Sequence, residues 1–252
     1  MKKFLKSYWK HLLIFTLAGL IGGFLAGLDL LSSYPPHIQE EILAQGMTKN
    51  VMAIVTGVQY AAYGLVLGVL GIILAKKIRL WQDRLAVRPK PLGITVISFV
   101  ILGILFIGVD YLLFARLIPP VADSFLIKPT AATIIGAMIL GGIVEEVMLR
   151  LFMMSLIAFI LLKIFRKCDE KGREIIFIVS NVVSAMLFAA AHLPTTEILY
   201  GITPIILIRC FLLNGGFGLV FGRLYRKYGI QYAMIAHAGI HLVSKLIWLL
   251  FI

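Results

Sequence analysis

Seven apolar runs, at 12–31, 51–75, 91–118, 131–162, 175–192, 203–222 and 230–252, set the terms on which this chain can fold. The hydrocarbon core of a bilayer is crossed by about 20 residues of helix, and its lack of water demands that every backbone N–H and C=O be paired within the segment. The runs reach or approach that length, and they lack the alternating pattern of an outer-membrane barrel. Of the 252 residues, 61% are hydrophobic and only 14% charged, whereas a soluble surface takes roughly a quarter. The expected fold is all-α: a polytopic transmembrane helical bundle of about seven spans, eight being the alternative count, forming one integral membrane domain over 1–252.

A net charge of +12 raises the question of nucleic acid, and the placement of the charge answers it. Basic residues cluster on alternate connections. Lys2, Lys3, Lys6 and Lys10 precede the first span, and Lys76, Lys77, Arg79, Arg84, Arg88 and Lys90 follow the second. Lys163, Arg166, Lys167, Lys171 and Arg173 follow the fourth, and Arg223, Arg226 and Lys227 follow the sixth. The other side carries only Lys49, Lys128 and Arg116. The positive-inside rule then puts the N-terminus in the cytoplasm and the C-terminus outside. The basic excess is read as topology and contact with anionic membrane lipids, with no nucleic-acid partner. The first run is read as an uncleaved anchor rather than a signal peptide, on its length and its want of a small-residue cleavage site. Cys168 and Cys210, one in a loop and one in a span, imply no disulfide framework.

Polar and small residues mark the connections and the contacts. The stretch 35–50 is expected to form a short interfacial helix, and Trp9 and Trp81, each beside basic residues, to anchor at headgroup level. Gly19, Gly22, Gly23 and Gly27, and again Gly64, Gly68 and Gly71, allow close helix approach. Asn214, before Gly215, Gly216 and Gly218, either bonds across helices or lines a site. Asp110, Arg209 and Lys245, in the outer halves of their spans, are expected to pair with one another or to snorkel.

The fourth run contains the costliest residues in the chain. Glu145, Glu146 and Arg150 stand in an otherwise apolar stretch, where an ionised side chain costs at least ~2.5–3.5 kcal/mol by insertion scales and marks a functional site by default. At about 100° per residue, Glu146 and Arg150 share a face in the favourable order for an ion pair, and Glu145 points a quarter turn away. The fifth run ends in Phe188-Ala-Ala-Ala-His192, with Pro194 limiting further helix. The seventh carries His237 and His241 on one face. A carboxylate and a histidine around one water form a general base, and imidazole N–H groups can hold an oxyanion. Glu145, His192, His237 and His241 also suit Zn²⁺ with an open position. Both arrangements lead to hydrolysis. No GxSxG, GxGxxG, Walker or HExxH motif is present.

The ordered motifs Glu145-Glu146-Val-Met-Leu-Arg150, Phe188-Ala-Ala-Ala-His192 and His237-Ala-Gly-Ile-His241, each on its own apolar helix, resemble the CPBP family of intramembrane proteases. That family includes type II CAAX prenyl endopeptidases and bacterial relatives linked to bacteriocin processing or self-immunity. The likeness covers about 130–244. It implies an intramembrane endopeptidase in which Glu145 and His192 activate the water, Glu146 and Arg150 support the site, and His237 with His241 stabilises the oxyanion or binds a metal. The family's last position is more often Asn, and here it is His241. The substrate implied is a membrane-associated peptide or protein, prenylated or bacteriocin-like, and the location a bacterial or archaeal plasma membrane. Two other readings stand beside this one: a transporter or proton relay using the intramembrane Glu, Arg and His, and a non-catalytic immunity protein. By residue count Glu145 and His241 fall near mid-membrane and His192 near the outer surface, with Glu197 just beyond it.

Overall fold

In a computed structural model, which describes residues 2–82 and 86–252, the described residues form helices joined by short connections. Arg84 of the second basic connection lies outside the described residues, as does the side chain of Lys2. The helices in chain order are α1 (Lys2–Ser33), α2 (Pro36–Ala44), α3 (Lys49–Lys77), α4 (Pro89–Leu117), α5 (Pro119–Ser124), α6 (Ala131–Ile164), α7 (Glu170–Tyr200), α8 (Pro204–Tyr228) and α9 (Ile230–Phe251). Among the described residues, seven of these are long and apolar enough to cross a membrane; α2 and α5 are not. The expected helix in 35–50 is α2, which buries no residue.

Local chemistry fixes where the helices begin. Thr48, Asp169 and Thr203 each accept a backbone N–H of the first turn, and Thr130 forms a reciprocal cap with Thr133, which satisfies donors that the helix itself leaves open. Pro36, Pro89, Pro119 and Pro204 occupy first-turn positions, where a missing N–H costs nothing. Gly229, at φ 116, makes the sharp turn from α8 into α9.

Small residues determine which helices meet. α1 and α3 lie backbone to backbone: a Cβ on Gly23 would stand 2.7 Å from the Thr56 carbonyl oxygen, and one on Gly27 would stand 2.6 Å from the Ala53 Cα. Helices in lipid gain little from apolar burial and associate through such close packing. Within the bundle, α6 runs among α1, α3, α7 and α9. Its Val144, Val147, Leu151 and Met154 are fully buried. Glu146 and Arg150 on the same helix are buried with them and so face protein rather than lipid.

The intramembrane charges expected to pair do so selectively. Arg209 on α8 holds Asp110 on α4 with both arms of its guanidinium, at 2.6 and 2.8 Å, a bidentate geometry. Lys245 instead places its ammonium 5.8 Å from the Trp248 ring. Trp9 is 53% exposed, as befits an anchor, whereas Trp81 packs edge-on against Tyr8 and His11.

The fifth span departs from expectation. Helix was expected to end near His192; α7 instead runs from Glu170 to Tyr200. Pro194 sits in the first turn of the continuing segment. The regular helix is interrupted by a single turn residue at His192, where the backbone bonds shift to His192 N–Ala189 O at 3.1 Å and Thr196 N–His192 O at 2.9 Å. A proline in a helix kinks it where neighbouring bonds can compensate. His192 thus falls inside the span rather than at its outer end, and Glu197 is an exposed helical residue.

Candidate active site

The site is built on α6. Two π-helical stretches, Leu140–Glu145 and Val147–Met154, flank Glu146. These wider i→i+5 turns are rare and occur often at functional sites. They also disturb the regular backbone pairing, and neighbouring side chains supply donors. Ser184 on α7 donates to the Leu149 carbonyl at 2.6 Å, and Ser155 bonds the Tyr225 hydroxyl of α8 at 2.9 Å.

Glu146 is fully buried and forms an ion pair with Arg150 at 3.0 Å. The guanidinium also donates to the Gly218 carbonyl on α8 at 3.1 Å. It lies between the rings of Phe188 and Phe221, 4.8 and 5.2 Å from their centroids. A Cβ on Gly218 would stand 2.7 Å from Nη2, so the glycine makes room for the arginine. A buried charge needs a partner and hydrogen bonds, and Arg150 has the carboxylate, a carbonyl and two aromatic faces.

On its other side Glu146 accepts a hydrogen bond from His237 Nδ1 at 2.8 Å. A carboxylate kept ionised by an arginine accepts here, so the proton is assigned to Nδ1. The second ring nitrogen, Nε2, then lies 3.9 Å from Glu145 Oε2, too far for a direct hydrogen bond. The His237 ring stacks on Phe221 at 4.4 Å and on His241 at 5.0 Å. Both rings stand over Gly141: a Cβ there would be 2.6 Å from His241 Nε2 and 3.2 Å from His237 Nε2.

His192 is fixed in a similar way. Its Nδ1 lies 2.8 Å from the Phe188 carbonyl oxygen, which can only accept, so Nδ1 carries the proton and Nε2 presents a lone pair. Its ring meets the edge of Phe188 at 4.8 Å.

Glu145, His192, His237 and His241 line one cavity of about 80 Å³. Two or three waters fit such a volume, at roughly 30 Å³ each. Glu146 and Arg150 lie behind its wall, reaching it through His237. Asn214 lines the cavity too, while its amide donates to the Cys210 carbonyl of its own helix at 3.0 Å. The rest of the lining is apolar, with Phe106, Phe217 and Phe221 prominent. The sequence reading singled out none of these aromatics. Phe217 and Phe221, one turn apart on a helix already flagged for its glycines, were the available signal. Among the described residues, no three His, Cys, Asp or Glu side chains are grouped to hold a metal ion.

Residues 127–243 match the family described as type II CAAX prenyl endopeptidase Rce1-like. No curated protein and no solved structure matches the chain. The matched stretch contains all six residues from Glu145 to His241, and the seven apolar helices make the chain an integral, multi-pass membrane protein. Over that stretch, a little under half of the chain, it is similar to the Rce1-like type II CAAX prenyl endopeptidases, a family of membrane peptidases, and the match supports a place in the CPBP family.

Proposed function

We propose that the protein is an intramembrane endopeptidase that hydrolyses a peptide bond of a membrane-associated substrate with a water activated by Glu145 and His192. The supporting observation is the convergence of Glu145, His192, His237 and His241 on one small cavity. The Glu145 carboxylate and the His192 Nε2 lone pair both accept from a water between them. One takes a proton as the water oxygen attacks the carbonyl carbon, and that proton passes to the nitrogen of the breaking C–N bond. Glu146 and Arg150 are positioning residues. Ionised Glu146 fixes the tautomer of His237, as a carboxylate orients the histidine of a catalytic triad. An N–H of His241 donates to the oxyanion of the tetrahedral intermediate, and His237 joins it as an imidazolium whose Nε2 proton is drawn from solvent water and balanced by ionised Glu146. None of these steps requires a metal.

The test is His192→Ala in purified protein presented with a membrane-associated peptide that the wild type cleaves. Turnover is expected to fall about 10²–10⁴-fold, the range for loss of a general acid or base. Wild-type turnover in the variant sinks the proposal. Metal content and chelator treatment check the rest: activity should survive chelation. Stoichiometric zinc together with chelator-sensitive turnover would return the water to a metal held by the same histidines.

We further propose that the basic ends of the spans face the cytoplasm, because lysine and arginine crowd one set of connections. A reporter fused after Ile252 should then read as external. A cytoplasmic signal would reverse the topology.

A further inference from the structure

A second and larger cavity, about 740 Å³, opens between α7 and α8. It shares no lining residue with the cavity at Glu145. Its floor is a close helix crossing, where the Asn181 amide donates to the Leu219 carbonyl at 2.8 Å. It is graded along its length. One end carries Arg223, Arg226 and Lys227, at the basic end of α8. The other runs toward the middle of the span over Ile178, Val182 and Leu219. From Glu174 to Val182 the drop along α7 is about 12 Å at 1.5 Å per residue.

The cations at the mouth are not equivalent. Arg226 is committed within the protein: it pairs with Glu174 and lies 5.0 Å over the Phe177 ring. Arg223 and Lys227 are exposed, and among the described residues neither forms an ion pair. The mouth thus presents two cations beside a neutralised pair, above an apolar trough that opens to the lipid side. Ile178 is 56% and Val182 43% exposed.

We propose that this groove binds one anionic phospholipid, with its phosphate and acidic headgroup on Arg223 and Lys227 and an acyl chain against Ile178, Val182 and Leu219. The charged end lies at a span terminus and the apolar end points toward mid-membrane, the order in which a lipid presents them. A zwitterionic headgroup would bring its own cation to a basic rim. Below the basic rim a peptide backbone would find one side-chain amide to pair with, that of Asn181, and its nitrogen already donates to Leu219.

The experiment uses the full-length protein purified in detergent, equilibrated with equimolar dioleoylphosphatidylglycerol and dioleoylphosphatidylcholine and weighed intact by native mass spectrometry. The wild type is expected to retain the phosphatidylglycerol. Each basic residue near an anionic surface is worth about 1 kcal/mol. Arg223→Gln combined with Lys227→Gln should therefore weaken that retention roughly 10–30-fold. Val182→Trp, which fills the apolar end and leaves the charges in place, should remove the lipid as well. Leu126→Trp, at a residue 80% exposed and outside the groove, should have no effect. Ile178→Trp replaces Val182→Trp if the latter does not fold. Equal retention of the two lipids overturns the proposal. So does phosphatidylglycerol binding that ignores the tryptophan substitutions, since the cations would then be contacting bulk lipid with no groove involved. Occupation by a farnesylated peptide in preference to phosphatidylglycerol would assign the groove to substrate and likewise overturn it.

Discussion

Replacing Glu145 with glutamine is expected to abolish most turnover, by about 10²–10⁴-fold in kcat, in a protein that folds and melts as the wild type does. The substitution is nearly isosteric and removes only the charge and the basicity. The side chain is 21% exposed and His237 Nε2 stands 3.9 Å away, beyond hydrogen-bond reach, so no buried hydrogen-bond partner is orphaned. The neighbouring Glu146→Gln is a different experiment. Glutamine at 146 still offers a carbonyl to His237 Nδ1, but it leaves Arg150, 1% exposed, without its counter-charge. Its loss of activity should come with loss of stability. The readouts are kcat and KM on a cleavable membrane-associated peptide, with thermal unfolding recorded in parallel. The division of labour between the glutamates is wrong if Glu145→Gln turns over normally. It is also wrong if Glu146→Gln is the variant that is inactive yet fully stable.

Much of this was legible in the sequence, for identifiable reasons. The spans were readable because oil tolerates few residue types over twenty positions; their ends became clear only in the fold, where Thr48, Asp169 and Thr203 cap first turns. Glu145, Glu146 and Arg150 were conspicuous because a charge in that environment is expensive, and the pairing of Glu146 with Arg150 followed from helical spacing alone. The depth of His192 was not legible. Pro194 reads as a stop signal, and only the fold reveals that α7 resumes after His192 and continues to Tyr200. The π-helical turns around Glu146 were equally hidden. No local pattern announces them, and the Leu149 carbonyl accepts from Ser184, which is distant in sequence. The aromatic wall of the cavity is a third case. Phe106 belongs to α4 and Phe217 to α8, and their rings meet at 5.5 Å; phenylalanine in a span carries no sign that it faces a polar site rather than lipid.

Arg150→Met is expected to cost about 3–5 kcal/mol of stability, the range for removing one partner of a buried ion pair. The loss begins with Glu146, which is fully buried and whose Oε2 has no hydrogen-bonding partner among the described residues. Without Arg150 it keeps only His237. The Gly218 carbonyl loses its donor, and Phe188 and Phe221 lose the cation between them. Methionine fills part of the volume and restores none of the charge. The companion variant, Arg150→Met with Glu146→Gln, removes both charges and leaves glutamine able to accept from His237. It should recover much of the stability, because an apolar or neutral replacement of an entire buried pair is often tolerated. Activity should not return with it. A neutral amide leaves the Nδ1–H in place, but it does not offset a positive charge on the ring when Nε2 carries a proton to the oxyanion. Thermal unfolding in detergent together with the pH dependence of kcat separates the two effects. If the double variant regains wild-type turnover along with its stability, Glu146 and Arg150 serve the fold alone, and His237 is not oriented through them.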